Sequence, residues 1–263
     1  METLHIIKIG GNVIDDAELL SDFIKDFAAI SGPKILVHGG GKLATQLAGR
    51  LGVKQTLIGG RRVTDAETLE IAVMVYAGYI NKTVVARLQA QQCMAIGFCG
   101  ADGNLVKSKK RAPSEIDFGF VGDIEEDGVN REQFLDFLYA GITPVISPIT
   151  HDGAGNLLNT NADSMVTEIA VALKSHFNIK LIYCFEKSGV LTDVTNESSY
   201  IPSLCKLQYT DLKTNGKVSE GMIPKLDNGF RALESGVSQV VICHARAIKD
   251  KFNSITGTKL VNL

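Results

Sequence analysis

A short apolar run that ends in three consecutive glycines places the strongest constraint on the fold of this chain. Residues 34–38 (KILVH) precede Gly39, Gly40 and Gly41, and a helix-like pattern follows. This order predicts a strand, a tight loop and a helix N-terminus. A ligand could contact the backbone of such a loop directly, and the helix dipole would favour an anion. A tight turn in an ordinary α/β fold would look the same, and neither GxxxxGK[ST] nor GxGxxG is matched.

Strand-like and helix-like segments alternate along the whole chain. Strand patterns occur at 4–9, 34–38, 95–98, 143–147, 180–185, 239–243 and 258–261. Helical patterns occur at 15–29, 64–91, 130–139, from just after the 157–163 segment to about 173, and at 210–214 and 225–235. This alternation predicts an α/β fold with a mainly parallel sheet and helices on both faces. A length of 263 residues without an evident linker suits one large domain or two closely packed lobes.

Local patterns add detail to this outline. The segment 64–67 (TDAE) has the sequence of a capping box, which predicts that Thr64 begins the long helix. Asn130 and Gln133 are similarly placed for capping. The segment 118–124 alternates like a strand beside a turn, as in a hairpin or a β-rich flap.

Composition excludes several classes of function. A net charge of −2 gives no electrostatic case for nucleic acid or an anionic membrane. The five cysteines form no CxxC pair, which favours reduced thiols in a cytoplasmic protein and argues against structural zinc. The N-terminus lacks the pattern of a secretory signal, and no run of about twenty apolar residues predicts a membrane span.

Lys8 lies within the first apolar run, one residue before its end. A buried ammonium group is costly without an anionic partner. Lys8 could instead reach water at an edge of the sheet. The functional interpretation places it at the mouth of a phosphate or carboxylate site beside Gly10 and Gly11.

Two further polar segments are candidates for a site. Arg62 could form a bidentate contact with a carboxylate, although one of Arg61 and Arg62 could equally be a surface charge. Asn159, Asn161 and Asp163 alternate before a helix, so an extended segment would point them the same way. Asn and Asp are also common N-caps, which would account for one of the three.

These groups are rich in positive charge and hydrogen-bond donors and poor in nucleophiles. Lys8 and Lys225 lie beside loops, and no Ser-His-Asp or Cys-His arrangement is evident. Phosphoryl transfer requires such a set, because positioning and charge neutralisation provide most of its catalysis.

Five motifs in order resemble those of the N-acetylglutamate kinases within the amino acid kinase family. They are 8–11 (KIGG), 38–41 (HGGG), 60–64 (GRRVT), 158–163 (LNTNAD) and 220–225 (EGMIPK). Each motif alone is weak, but the five together span essentially the whole chain with their spacing intact. The 60–64 and 159–163 motifs favour the acylglutamate branch over carbamate kinase, aspartokinase, uridylate kinase and glutamate 5-kinase.

The resemblance implies an enzyme that phosphorylates the γ-carboxylate of an N-acylglutamate with ATP and Mg²⁺, the second step of arginine biosynthesis. Lys8 and Lys225 would stabilise the transferring phosphoryl group, and Asp163 would orient both lysines. The implied phosphate-binding residues are Gly10 and Gly11, as backbone N–H donors, and the implied substrate-binding residues are Gly40, Gly41, Arg62, Asn159 and Asn161. The implied nucleotide-binding residues are Glu186, Lys187, Ser188, Gly189, Val190, Leu191, Lys217, Val218 and Ser219. No protein side chain is expected to bind a metal.

The implied fold is a three-layer αβα sandwich around an open, mainly parallel sheet of roughly eight strands. Residues 1–263 would form a single amino acid kinase domain. Its N-terminal lobe (1–173) would bind the amino acid and mediate dimerisation, and its C-terminal lobe (174–263) would bind ATP. The expected partners are the small-molecule substrate and a second copy of the chain.

Two departures from the family pattern affect these expectations. The family usually has Thr-Asp-Val-Pro/Ser-Gly where this chain has 185–189 (FEKSG). Glu186 would therefore take the place of the aspartate, and Phe185 would take the place of the threonine without its hydroxyl group. The chain begins directly at the first strand, whereas arginine-inhibited members carry an extra N-terminal helix. We therefore expect a homodimer without arginine feedback. N-succinylglutamate is an alternative substrate, and a non-catalytic amino-acid or nucleotide sensor is the alternative from another class.

Overall fold

The computed structural model describes residues 1–59, 61–219, 221–249 and 256–262. Gly60 and Glu220, which begin two of the five motifs, therefore lie outside the described residues. The strands are β1 (Thr3–Ile9), β2 (Lys34–His38), β3 (Thr56–Ile58), β4 (Arg61–Val63), β5 (Ala95–Phe98), β6 (Lys109–Lys110), β7 (Val121–Asp123), β8 (Thr143–Ile146), β9 (Ile149–His151), β10 (Leu157–Thr160), β11 (Asn178–Phe185), β12 (Ser203–Cys205), β13 (Gln239–His244) and β14 (Thr258–Val261).

Helices occupy most of the chain between these strands. They are α1 (Gly11–Asp15), α2 (Ala17–Ala28), α3 (Gly41–Leu51), α4 (Ala66–Val73), α5 (Asn81–Ala90), α6 (Arg131–Tyr139), α7 (Ala162–Leu173), α8 (Lys206–Thr214) and α9 (Ile223–Glu234), with 3₁₀ turns at Asp102–Asn104, Glu197–Ser199 and Ala245–Lys249. A π-helical segment, Met74–Ile80, joins α4 to α5.

The predicted sheet is confirmed. Within the described ranges, eight strands form it in the order β12-β14-β13-β11-β1-β2-β8-β5. Neighbouring strands are parallel except β13 and β14. A smaller sheet, β6-β7-β10-β9, contains the predicted strand near residue 121, and β3 and β4 form a hairpin. The order places the ends of β1, β2 and β11 beside one another.

Apolar layers cover both faces of the main sheet, and successive side chains of β1 pack into one layer or the other. Leu4 and Ile6 pack into the layer that contains α7 and α9, whereas Ile7 and Ile9 pack into the layer that contains α2 and the helices from α4 to α5. Because side chains alternate between the two faces, Lys8 follows Leu4 and Ile6 onto the α7 side.

The predicted capping box at Thr64 is wrong. Asp65 is the N-cap of α4, and its carboxylate accepts the backbone N–H of Thr68. The hydroxyl of Thr64 instead accepts a hydrogen bond from Asn159 Nδ2. Either residue can cap a helix, and the extended backbone of Asp65 decides between them. The capping of α6 by Asn130, whose side chain accepts the N–H of Gln133, is confirmed.

The continuous helical stretch Ala66–Ala90 is long and apolar enough to pass a test for a membrane span, with a mean hydropathy of 1.2. Core helices of soluble proteins pass the same test. Here Ile71, Ile80 and Leu88 pack into the apolar layer beside the main sheet. One face of the stretch therefore packs against the core, and 39% of the tested window is buried.

Burial of His38 makes stability depend on pH. Desolvation lowers its pKa to about 4, although the hydrogen bond to Gly39 opposes the shift. In the unfolded chain its pKa returns to about 6.5, so between these values the unfolded state binds more protons. We predict that the free energy of unfolding falls by about 1.4 kcal/mol per pH unit for this histidine as the pH drops from 6.5 towards 4.

Chemical denaturation at pH 7, 6 and 5 measures this dependence. His5 adds to it, because burial and the nearby Lys180 and Lys34 lower its pKa to about 4 as well. In the variant His38→Asn, the free energy of unfolding should change by about 1.4 kcal/mol less per pH unit, because one proton fewer is taken up on unfolding. Equal slopes in the two proteins would contradict the assignment.

Candidate active site

The predicted catalytic residues form one buried ionic cluster. Lys8 Nζ lies 2.7 Å from Asp163 Oδ1, and Lys225 Nζ lies 3.7 Å from Asp163 Oδ2. The side chains of Lys8 and Asp163 are 7% and 9% exposed, so Lys8 does not reach water at a sheet edge. The end of β1, the first turn of α7 and the first turn of α9 bring the three residues together.

The charges in the cluster determine the protonation states of its side chains. Burial alone would raise the pKa of Asp163, but the positive charges of Lys8 and Lys225 outweigh it and hold that pKa below its ordinary value. Burial lowers the pKa of Lys225, and the attraction of Asp163 only partly offsets this. The carboxylate is therefore ionised at neutral pH, and the cluster attracts a further anion.

The glycine loop offers backbone donors beside this cluster. Gly40 is the N-cap of α3 with φ +152°, and Gly41 begins that helix. The loop touches the start of α1, since a Cβ built on Gly11 would lie 3.8 Å from Gly41 N. The hydrogen bonds of the described residues include no acceptor for the N–H groups of Gly11, Gly40 or Gly41. These donors at two helix N-termini favour an anion.

The predicted donor role of Gly10 is wrong. Its N–H donates to the carbonyl of Cys184 at 3.1 Å, because β1 and β11 continue their parallel pairing to this point. Gly10 lines the cavity next to the cluster through its backbone surface instead.

A cavity of about 540 Å³ opens on one side of the cluster. It contains most of the predicted phosphate-binding and nucleotide-binding residues together with both lysines. They are Lys8, Gly10, Gly11, Glu186, Lys187, Gly189, Val190, Leu191, Lys217, Val218, Ser219 and Lys225. Its mixture of apolar walls and lysines suits a ligand with an apolar ring at one end and phosphates at the other. We refer to it as the lysine cavity.

Ser188 is absent from the lining of the lysine cavity. Its N–H and its hydroxyl both donate to Glu197 Oε2. Lys187 pairs with Glu197 Oε1 at 2.7 Å but still borders the cavity. The segment where the family pattern is broken is therefore tied to Glu197, a residue for which the sequence offered no signal.

A second cavity of about 600 Å³ lies on the other side of the loop and contains every predicted substrate-binding residue. These residues are Gly40, Gly41, Arg62, Asn159 and Asn161. We refer to it as the arginine cavity, because Arg61 and Arg111 also line it. Gly41 lines both cavities, so they meet at the glycine loop.

Arg62 is held in place by the start of α3. Its Nη2 donates to Gly41 O and to Thr45 Oγ1, each at 2.8 Å, and its Nη1 donates to Gln55. Tyr76 also forms a side-chain hydrogen bond with Arg62. A guanidinium has five N–H groups, so these contacts leave part of its donor set for a ligand. Arg62 is only 9% exposed, whereas Arg61 is exposed, which identifies Arg62 as the fixed cation of the pair.

The two asparagines differ in how they are held. Asn161 is the N-cap of α7, and its Oδ1 accepts the N–H groups of Asp163 and Ser164 at 2.8 and 3.0 Å. The cap interpretation of this segment is therefore confirmed for Asn161, which also lines the arginine cavity. Asn159 is fixed by the hydroxyl of Thr64 at 3.0 Å.

Sequence reasoning missed several lining residues. Asn12 lines the lysine cavity and donates to Glu186, and Lys42 lines it from the first turn of α3. Tyr76 lines the arginine cavity from the π-helical segment. Lys42 follows the glycines directly and could have been found, whereas Tyr76 belongs to an apolar helical run with no polar pattern.

A family model described as the amino acid kinase family matches residues 3–244. The chain is 50% identical over 264 residues to the acetylglutamate kinase of Cytophaga hutchinsonii, covering 99% of both chains. It is 48% identical over 249 residues to that of Bacteroides thetaiotaomicron, covering 95% of this chain and 96% of the relative.

Solved structures share the fold at low identity. An N-acetylglutamate synthase from Neisseria gonorrhoeae, complexed with coenzyme A and N-acetyl-glutamate, superposes with a TM-score of 0.82 at 19% identity, over 98% of this chain and 59% of that one. A carbamate kinase from Giardia lamblia, bound to AMP-PNP, gives 0.69 at 12% identity, over 100% of this chain and 99% of that one.

The conformation of Gly40 yields a test of the loop. A Cβ at this position would lie 2.2 Å from Ile80 Cδ1 and 3.2 Å from Tyr76 Cδ1, at a φ that other residues rarely adopt. We predict that Gly40→Ala lowers the free energy of unfolding by about 1–3 kcal/mol. Gly49→Ala is the matched control within α3, where an added Cβ meets nothing within 4 Å. It should stabilise by about 0.5–1 kcal/mol, and equal effects in a urea titration would refute the geometry.

Proposed function

Because this chain belongs to the amino acid kinase family, we propose that it is an acetylglutamate kinase, which phosphorylates the γ-carboxylate of N-acetyl-L-glutamate with ATP in arginine biosynthesis. The observation that carries the proposal is the cluster of Lys8, Asp163 and Lys225. Its two lysines line the same cavity as Gly41, the residue at which the two cavities meet. ATP occupies the lysine cavity, and the acylglutamate occupies the arginine cavity. The reacting groups meet beside Gly41.

The reaction forms one bond and breaks one bond. An oxygen of the γ-carboxylate attacks the γ-phosphorus of ATP, and the bond from that phosphorus to the bridging oxygen breaks, so that ADP leaves. The carboxylate is ionised at neutral pH and needs no general base. The protein's contribution is therefore to position two anions in line and to offset their repulsion.

Lys8 and Lys225 supply charge for the transferring phosphoryl group, and Asp163 holds both ammonium groups towards it. The N–H groups of Gly11, Gly40 and Gly41 add donors that require no reorganisation during the reaction. Lys217, at the rim of the lysine cavity, supplies further positive charge for the nucleotide phosphates.

The arginine cavity accounts for recognition of the acylglutamate. The remaining donors of Arg62 bind its α-carboxylate, and the amides of Asn159 and Asn161 bind its polar backbone and acyl groups. Arg61 lines the same cavity and could pair with a further carboxylate, whereas Arg111, which also lines it, already pairs with Asp123 through Nε and Nη2. N-succinylglutamate is therefore the second candidate substrate.

The donor set fits a Mg²⁺ ion that enters with the nucleotide. Among the described residues, no group of three or more His, Cys, Asp or Glu side chains could hold a metal, and Asp163 is engaged by two lysines. Phosphate oxygens would hold the ion, with Glu186 as a carboxylate that lines the same cavity. When bound, Mg²⁺ neutralises phosphate charge.

We further propose a cytoplasmic homodimer in which residues 1–173 form the amino-acid lobe and residues 174–263 the nucleotide lobe. The support for dimerisation is an exposed apolar surface at one edge of the main sheet. Ile96 on the edge strand β5 is 37% exposed, and Met94, two residues earlier, is 60% exposed. Tyr79, in the π-helical segment that leads into α5, is 66% exposed, and α5 packs against β5. A second copy would cover these side chains.

The activity assay mixes the purified protein with ATP, Mg²⁺ and hydroxylamine, which traps an acyl phosphate as a hydroxamate. N-acetylglutamate and N-succinylglutamate are tested in parallel with glutamate as a control. We expect hydroxamate from N-acetylglutamate. Product from N-succinylglutamate alone would favour the second candidate, and no product from either would favour the sensor.

We predict that Lys8→Ala lowers kcat by about a hundredfold or more, because it removes a preorganised charge from the transition state. Lys206→Ala is the control, since Lys206 forms an exposed ion pair with Glu234 on the surface. Near-normal turnover of Lys8→Ala would contradict its role.

We predict that the protein sediments at about twice its chain mass of 28.3 kDa. Ile96→Lys should shift it towards the monomer, because a charge would be buried at the interface. Tyr139→Lys is the control, at a tyrosine on α6 that is 69% exposed. A monomer in the unmodified protein would refute the proposal.

A further inference from the structure

We infer that Asn81 is a positioning residue, which acts through His38 to orient the Gly39–Gly40 peptide of the glycine loop. The inference rests on the proposed function, because the loop matters for phosphoryl transfer only if the reaction takes place beside it. Neither residue touches either cavity, and the mechanism above uses neither of them.

The contacts form a continuous chain from α5 to the loop. His38 ends β2 with no exposed surface, and its Nδ1 lies 2.9 Å from Gly39 O. Its Nε2 lies 3.2 Å from Nδ2 of Asn81, which is also fully buried. Both side chains are polar groups in an apolar environment, so each contact is costly to lose.

The partners of Asn81 fix the orientation of its amide. Nδ2 also donates to Val145 O at 2.9 Å, and Oδ1 accepts from Lys82 Nζ at 3.1 Å. The two hydrogens of Nδ2 serve Val145 O and His38, since Phe98 O is farther away at 3.5 Å. A flipped amide would place an oxygen against a carbonyl and a nitrogen against an ammonium group. The amide nitrogen therefore faces His38.

The amide in turn fixes the tautomer of His38. Since Nε2 receives a hydrogen bond from Asn81, it carries no proton, and the ring hydrogen is on Nδ1. Nδ1 then donates to Gly39 O. Burial, which lowers the pKa of His38 to about 4, keeps the ring neutral at physiological pH.

The tautomer determines where the next N–H points. In a planar trans peptide, the N–H and the C=O point in opposite directions. A Gly39 carbonyl held against His38 therefore leaves the Gly40 N–H pointing away from His38. Gly40 lines the arginine cavity, and no acceptor for this N–H is found within the described part of the chain.

The absence of a side chain at Gly97 provides the space that the Asn81 side chain occupies. A Cβ at Gly97 of β5 would lie 1.9 Å from Asn81 Oδ1, so glycine is needed there. The π-helical segment ends at Ile80, whose Cδ1 supports Gly40, and Asn81 follows directly. One short segment thus contacts the loop from below and fixes its peptide orientation. π-Helical turns are frequent at functional sites.

The test begins with Asn81→Leu, which keeps the branched shape of the side chain and removes the donor. We expect kcat for acyl phosphate formation to fall by about tenfold or more, with KM for ATP nearly unchanged, because a misaimed N–H affects mainly the transition state. His38→Asn keeps a donor near the Nδ1 position and should retain more activity than His38→Leu. Equal losses in the two His38 variants would overturn the inference.

A spectroscopic readout separates positioning from a structural role. Nitrogen chemical shifts of ¹⁵N-histidine-labelled protein report which ring nitrogen carries the proton, and His38→Asn assigns the signal. We expect the Nδ1–H tautomer in the unmodified protein and a mixture in Asn81→Leu. An Nε2–H tautomer in the unmodified protein would overturn the inference. This measurement needs no catalysis, so it remains decisive if the proposed function fails.

Leu88→Ala is the matched control on α5. Leu88 is fully buried and distant in sequence from the loop, so its truncation should lower the melting temperature and leave kcat and the tautomer unchanged. If Asn81→Leu keeps normal kcat, or if Leu88→Ala loses as much kcat at equal loss of stability, Asn81 has only a structural role.

Discussion

Two lysine side chains share one buried carboxylate, and the rest of the site depends on this imbalance of charge. Each buried charge costs several kcal/mol of desolvation, and Asp163 compensates only one of Lys8 and Lys225. The cluster therefore retains about one positive charge in a poorly solvated place. Under the proposed function, the phosphates of a nucleotide would complete the neutralisation, and their binding would relieve a cost that the fold maintains in their absence.

The parallel sheet explains why these groups meet. The carboxyl ends of β1, β2 and β11 lie side by side, and the chain leaves each of them through a loop. Two of these loops lead into helices whose first N–H groups face the same space. Ligands of open α/β sheets bind in such crevices. Lys8 reaches the crevice because its side chain lies on the same face of β1 as those of Leu4 and Ile6. Asp163 reaches it because Asn161, two residues earlier, caps α7 and so places Asp163 in the first turn of that helix.

Much of this arrangement could be predicted from the sequence, and the failures have physical reasons. The strand of Lys8 and the glycine loop follow from local apolar patterns and backbone freedom, which neighbouring residues determine. The donor role assigned to Gly10 failed because its N–H belongs to the pairing with β11, a partner more than 170 residues away in the chain. Thr64 and Asp65 were equally good caps locally, and the extended backbone of Asp65 decided between them, which leaves the hydroxyl of Thr64 to Asn159. Nothing local marks Asn81, because an asparagine in a helix is ordinarily a surface residue.

Neutral His38 and the charged cluster have complementary roles in the same site. A cationic group in the loop would attract phosphate as well as the lysines do, but its charge would vary with pH near neutrality. A buried neutral imidazole instead orients a backbone N–H, whose partial charge does not titrate. The lysines supply long-range attraction, and the glycine N–H groups supply direction at short range. These N–H groups keep their orientation only if the peptide planes of the loop are fixed on the side away from the ligand. Buried polar partners that contact no ligand, such as Asn81, are required for this. Under the proposed function, the positions that govern catalysis in this chain would therefore extend one layer below the surface of its cavities.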